Sequence, residues 1–225
     1  VLAGAVVLGF FAGRKSRIVI IVLIIFSFIG VMLNSPVRNY VLKKISLGDL
    51  SGEIRKQQWR ETREMLKDNR LIMGTGLSNY QAKIEPYHQE GIFFNKDNDS
   101  DFRRKIVIFD DRYRAEHWQP VEIYMYPHNI LLNFWTELGL LGMILFIWII
   151  GKYLYCGLKI KKNKYLVLGL VGAMVVVVVH GLVDVPYFKN DLACIFWLMV
   201  AMLGVLDLED KKLDIKKEEK IIINR

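Results

Sequence analysis

The chain has 225 residues, of which 53% are hydrophobic, and its 31 Lys or Arg against 23 Asp or Glu give a formal net charge of +8. The apolar residues fall in blocks of near-spanning length, which excludes an ordinary soluble domain, because the remaining chain is too short to cover several such helices. The basic excess gathers in short turns and at the tail, so it speaks for membrane topology and anionic lipid; no nucleic-acid partner is expected.

Residues 1–12 are apolar but short for a span, and neither Met nor a basic region precedes them, as a signal peptide would require. They read as the end of a helix that begins earlier, and the chain as the C-terminal part of a longer protein. Arg14, Lys15 and Arg17 mark a turn before the almost unbroken apolar block 18–33. Further blocks follow at 138–150, 165–179 and 192–206, each with its flanks near the ~20 residues that cross a bilayer. Lys159, Lys161, Lys162 and Lys164 lie between two of them, and Lys211, Lys212, Lys216, Lys217 and Lys220 follow the last. Counting spans in order puts all three basic clusters on the cytoplasmic side. Residues 35–127 hold 16 Lys or Arg and 14 Asp or Glu, lack that bias, and fall outside.

The predicted organisation is therefore a partial and a full transmembrane helix over 1–34, an extracytoplasmic loop over 35–128, three transmembrane helices over 129–206 and a charged cytoplasmic tail over 207–225. The fold class is an all-α polytopic membrane protein, a C-terminal fragment of a larger helical bundle. Its one large extracytoplasmic loop is predicted to contain an amphipathic helix and a short β-hairpin.

Within the loop, Ser51 is placed to cap a helix beginning near Gly52; residues 53–69 contain no Gly or Pro, and Ile54, Trp59, Thr62, Met65 and Leu66 form an apolar stripe there. Arg55, Arg60, Arg63 and Lys67 stand between them, which suits a helix at a membrane surface. Such a run is either a solvated charged face or a clamp for a diphosphate, held bidentately by guanidinium groups. Arg55 and Arg63 are expected on nearly one face. Gly74-Thr75-Gly76 with Ser78-Asn79 reads as a turn, since no Gly-Lys-Ser/Thr follows to make a phosphate loop. Asp97, Asp99 and Asp101 imitate the start of a calcium loop, but Phe102 and Ile108 occupy the positions that need Gly and Glu, so a solvated loop is expected. Residues 105–109 and 113–118 are predicted to pair as the hairpin. His88 and His117 lie in polar sequence and are expected at the surface. Cys156 and Cys194 fall at different depths, which argues against a disulfide. No spacing of His and Cys suits a metal, and no metal or cofactor is expected.

The most informative point is His128-Asn129, where the loop runs back into an apolar span that also carries Glu137. Membrane helices hold such groups at a high energetic cost, which asks for a function. A second polar pair, His180 and Asp184, stands four residues apart at the end of another span. It is either a structural hydrogen bond or a functional pair.

Taken in order, these residues resemble a known family. Arg55-x-x-x-Trp59, then Met73-Gly74-Thr75-Gly76-Leu77-Ser78-Asn79-Tyr80, then His128-Asn129 with Glu137 and Gly139-x-x-Gly142, is similar to the core of the O-antigen ligase and polymerase family. His180-Gly181-Leu182-Val183-Asp184-Val185-Pro186 with Phe196-Trp197 resembles that family's last two spans. The resemblance covers roughly residues 55–206. It implies a glycosyltransferase on the outer face of the plasma membrane that moves a glycan from undecaprenyl diphosphate to a hydroxyl on lipid, glycan or protein. It implies Arg55 and His128 as catalytic residues, with Arg63, Asn129, Glu137, His180 and Asp184 binding substrate and arginines in place of a metal. The departure from the family lies between Gln81 and Pro127, where nothing names an acceptor.

Two other classes compete. A transporter or channel with a regulatory outer loop would use His180 and Asp184 as an ion relay, but such sites lie near the midplane, whereas His128 lies at the outer boundary. A membrane-anchored binding loop would not need His180 in a span.

Overall fold

The computed structural model describes residues 2–108, 111–188 and 190–223. In chain order the helices are α1 (Leu2–Ala12), α2 (Arg14–Leu33), α3 (Ser35–Ile45), α4 (Leu50–Lys67) and α5 (Tyr80–Ile84). Strand β1 (Gly91–Phe93), helices α6 (Phe102–Val107) and α7 (Asp111–His117), and strand β2 (Trp118–Pro120) follow. The last helices are α8 (Ile130–Lys159), α9 (Lys164–Gly181) and α10 (Asn190–Ile223). The chain divides into two compact units, residues 31–141 and residues 1–30 with 142–225.

The second of these is helical. Arg14–Leu33, Ile130–Lys159, Lys164–Gly181 and Leu192–Lys216 are long and apolar enough to cross a membrane, and they contain the four blocks read from the sequence. Among the described residues of α2 none is buried, so its isoleucines, valines and phenylalanines face outward, as contact with lipid tails requires. α1 meets α9 where both lack side chains: a Cβ at Gly4 would lie 2.9 Å from the carbonyl oxygen of Gly172. Small residues are what allow such close helix approach in a membrane, where hydrophobicity no longer drives association. Phe146 and Phe196 stack at 5.9 Å, and Tyr187 meets Phe196 edge-on at 5.1 Å. The backbone N–H groups of Lys161 and Lys162 donate to Asp210 at 3.3 and 3.1 Å, so the basic turn before α9 is tied to the continuation of α10. α10 stays helical well beyond residue 206, helped by the i,i+4 pair of Asp207 and Lys211. Cys156 and Cys194 are free thiols.

Unit 31–141 is built around α4. Asp49, not Ser51, caps it: its Oδ1 accepts from Gly52 N–H at 3.2 Å and its Oδ2 pairs with Lys44 at 2.5 Å. The Lys44 ammonium holds the Asp49 carboxyl below its ordinary range. The helix begins at Leu50, two residues earlier than the sequence suggested, so Ser51 lies inside the first turn and its hydroxyl meets Arg55 instead. Met65 and Leu66 of α4 pack with Tyr80 and Ile84 of α5 to form the core, flanked by Tyr87, Ile123 and Trp135.

The sheet is not where the hydrophobic run placed it. β1 and β2 pair antiparallel, with Gly91 opposite Pro120 and Phe93 opposite Trp118, while residues 102–107 and 111–117 are helical; Phe109 lies outside the described residues. Side chains explain the override of the local β-propensity of Ile106-Val107-Ile108. Asp99 accepts from Lys105 at 2.6 Å and from the Tyr113 hydroxyl at 2.7 Å, drawing both helices onto one carboxylate. His117 stacks on Tyr113 at 4.0 Å, one helical turn away. His117 is therefore buried, as is most of His88, whose Nε2 lies 2.9 Å from the Val121 carbonyl oxygen. Polar neighbours in sequence had suggested exposure for both; ring stacking and long-range partners decide otherwise.

Lys105 and Tyr113 hold the Asp99 carboxyl down at about 2, against an ordinary 3.8. A depressed carboxyl stabilises the fold above its unfolded pKa, and that contribution disappears as pH falls through the folded value. Melting followed from pH 5 to pH 2 is therefore expected to show a loss of stability between about 4 and 2 that Asp99→Asn removes.

The other organising feature is a break in α8. Gly139 has φ +75° and ψ −179°, a region open to glycine almost alone. The segment after α4 runs across this break. Leu140 N–H donates to Ile72 O at 2.9 Å, Thr75 N–H to Thr136 O at 2.6 Å, and Trp135 Nε1 to Leu71 O at 2.6 Å. A Cβ on Gly139 would fall inside contact with the Ile72 carbonyl, and one on Gly74 would do the same with Thr136. Gly139→Ala adds backbone strain to overpacking and is expected to destabilise the protein by about 2–5 kcal/mol, read as a loss of melting temperature in detergent.

Candidate active site

Three side chains pin residues 121–128 along α4 and α5. Trp59 Nε1 donates to the Pro127 carbonyl at 2.9 Å, Gln81 Nε2 to Ile123 O at 3.3 Å, and His88 holds Val121 O. This brings His128 to the N-terminal half of α4, far from it in sequence. A pocket of about 250 Å³ results, lined by Leu50, Ser51, Ile54, Arg55, Gln58, Tyr124 and His128.

Arg55 is half-buried, with one terminal nitrogen donating to Ser51 Oγ at 2.9 Å. Its Nε is buried without a hydrogen-bond partner. The Oε1 of Gln58, one turn along the same face, is buried and likewise without one. Buried polar atoms normally find partners, so two of them around one pocket mark a place shaped for a polar ligand. His128 adopts φ +43°, in the left-handed region that costs a non-glycine residue about 1–2 kcal/mol. Its ring meets Tyr124 and Tyr126 edge-on at 5.0 and 5.1 Å. Strain of this kind gathers at functional sites, held in place by the surrounding structure.

The other residues singled out by sequence are placed differently. Asn129 is the N-cap of α8, its Oδ1 accepting from Leu131 and Leu132 N–H at 3.1 and 3.0 Å. Glu137 accepts from Ser78 N–H at 2.8 Å and so holds the Gly74–Asn79 turn. Arg63 does not share the Arg55 pocket; it lines a neighbouring groove with Trp59 and Arg60. The expectation of one face fails because eight residues accumulate about 80° of rotation and about 12 Å of rise. His180 and Asp184 lie in the other unit, Nε2 to Oδ2 at 3.3 Å. Gln58 and Tyr124 went unread. The i,i+3 spacing from Arg55 is a signal for Gln58, whereas nothing local points to Tyr124.

The sequence profile described as O-antigen ligase matches residues 1–147, which include α4, the pocket and the break at Gly139. The chain belongs to the O-antigen ligase family. A Rickettsia felis protein that carries the name of a polysaccharide ligase is 38% identical over 53 residues, 24% of this chain. The chain thus spans 12% of the length of that curated relative. No solved structure matches it. Membership of this family and four described helices long and apolar enough to cross a membrane together mark a membrane protein.

Proposed function

We propose that the protein is a glycosyltransferase that moves a glycan from undecaprenyl diphosphate to a hydroxyl on lipid, glycan or protein, at the outer face of the plasma membrane. The observation that carries this reading is the meeting of Arg55, Gln58 and His128, two of them with buried unpartnered atoms, in one pocket of a chain from this family. In the proposed step the acceptor oxygen attacks the anomeric carbon as the bond from that carbon to the diphosphate oxygen breaks. The acceptor's proton passes to His128 and then to solvent, and undecaprenyl diphosphate leaves. Negative charge grows on the leaving oxygen, where the Arg55 guanidinium stabilises it more than it does the ground state.

Residues 35–128 would then face outward and the basic turns and tail inward, as their charge asymmetry supports. Asn129 and Glu137 serve the step by fixing backbone, Arg63 flanks it, and the His180–Asp184 pair is assigned to binding substrate. The test is reconstitution of the full-length protein with an undecaprenyl diphosphate glycan and a hydroxyl acceptor. Transfer should release one undecaprenyl diphosphate per linkage and persist in excess chelator, since a guanidinium stands where a cation would. Transfer without that release, or its loss to the chelator, would overturn the scheme.

A further inference from the structure

The face of α4 turned away from Arg55 borders a second, larger cavity of about 780 Å³, closed on its far side by the β1–β2 ladder. Its floor is a set of mutually engaged polar groups. Gln57 Nε2 donates to Glu61 Oε1 at 2.8 Å, Arg60 donates to Gln57 Oε1 at 2.8 Å, and Gln89 N–H donates to Glu61 Oε1 at 2.9 Å. Gln57 and Glu61 are each 3% exposed, so the floor is rigid and its groups cannot swing away.

The wall is aromatic. The Trp118 indole lies across Gly91, where a Cβ would meet the ring, and packs edge-on to Phe93 at 5.0 Å. Trp118 is held on these two sides and yet remains 39% exposed. The rim carries exposed, planar Glu64, Gln89 and Asn98. Fixed aromatic faces beside planar amides and carboxylates suit a pyranose, whose C–H face packs on a ring while its hydroxyls take paired acceptors and donors. The volume is within the range of small-ligand sites, enough for about two or three sugar rings. Glu53, Glu61, Glu64 and Glu90 outnumber Arg60 and Arg103 in the lining, which disfavours an acidic sugar.

We propose that this cleft is a carbohydrate-binding site separate from the transfer pocket, taking a neutral oligosaccharide segment of the glycan. The proposal rests on the glycan-transfer reading for its ligand class, and on the lining of the cleft for its specificity. The test is titration of the full-length protein in detergent with the N-acetylglucosamine trimer and with maltotriose, followed by saturation-transfer NMR. A galacturonic acid trimer and an unstructured neutral peptide are the comparison probes. At least one neutral trimer should bind saturably, about tenfold more tightly than the acidic one. Trp118→Ala should weaken it about tenfold. The double variant Glu64→Ala/Gln89→Ala, at exposed positions that spare the ladder, should do the same. Arg55→Ala should leave trimer binding unchanged, which separates the cleft from the transfer step. No saturable binding by either neutral trimer, binding indifferent to both cleft variants, or displacement by the peptide would overturn the proposal.

Discussion

Arg55→Ala in the full-length protein is expected to lower the turnover of glycan transfer by about a hundred- to a thousand-fold, the usual loss when one donor to developing charge is removed. The effect should fall on kcat more than on KM, because the guanidinium is worth most when the diphosphate oxygen gains charge. Arg55→Lys is expected to recover only part of the loss: it restores the charge but not the planar fork that meets a diphosphate at two points. Ser51→Ala releases the terminal nitrogen that Ser51 now holds and should cost less than either. Melting of each variant controls for packing, since Arg55 is half-buried and its stem covers part of α4. Turnover within a few-fold of the parent for a folded Arg55→Ala protein would remove this residue from the mechanism.

The membrane helices were legible from sequence because their signal is length and apolar content, which no tertiary contact needs to supply. The same holds for α4 as an amphipathic helix and for the turn at Gly74. Features that depend on distant partners were not legible. A strand reading of residues 105–109 followed local β-propensity, and a single carboxylate, Asp99, outweighed it by holding Lys105 and Tyr113. Ser51 lost the cap to Asp49 through the added pull of Lys44. Within the site, Arg55 and His128 were named from sequence, but Gln58 and the pairing of residues 121–128 with α4 depend on Trp59 reaching Pro127. Arg63 was misplaced because a helix drifts in angle over eight residues. Sequence marked the groups with chemistry; the structure shows which of them share a pocket.

His128 can be tested without the usual confusion between function and folding, because its backbone conformation suits other residues. At φ +43° a glycine is relieved of the strain that a side chain meets there, about 1–2 kcal/mol, and loses about 0.5–1 kcal/mol through its freer unfolded state. His128→Gly is thus expected to melt within a few degrees of the parent. Asparagine also tolerates this region and keeps an amide able to donate, but it cannot take up a proton near neutrality. If His128 accepts the acceptor's proton, both variants should lose about a hundred- to ten-thousand-fold in kcat, with little change in melting temperature. An active His128→Asn beside an inactive His128→Gly would assign the imidazole to holding substrate by a hydrogen bond. Full activity in both would return His128 to a purely structural role, packed between Tyr124 and Tyr126. The expected result is the joint loss, because a hydrogen-bonding role alone gives no reason for an imidazole over the asparagine that fits this backbone as well.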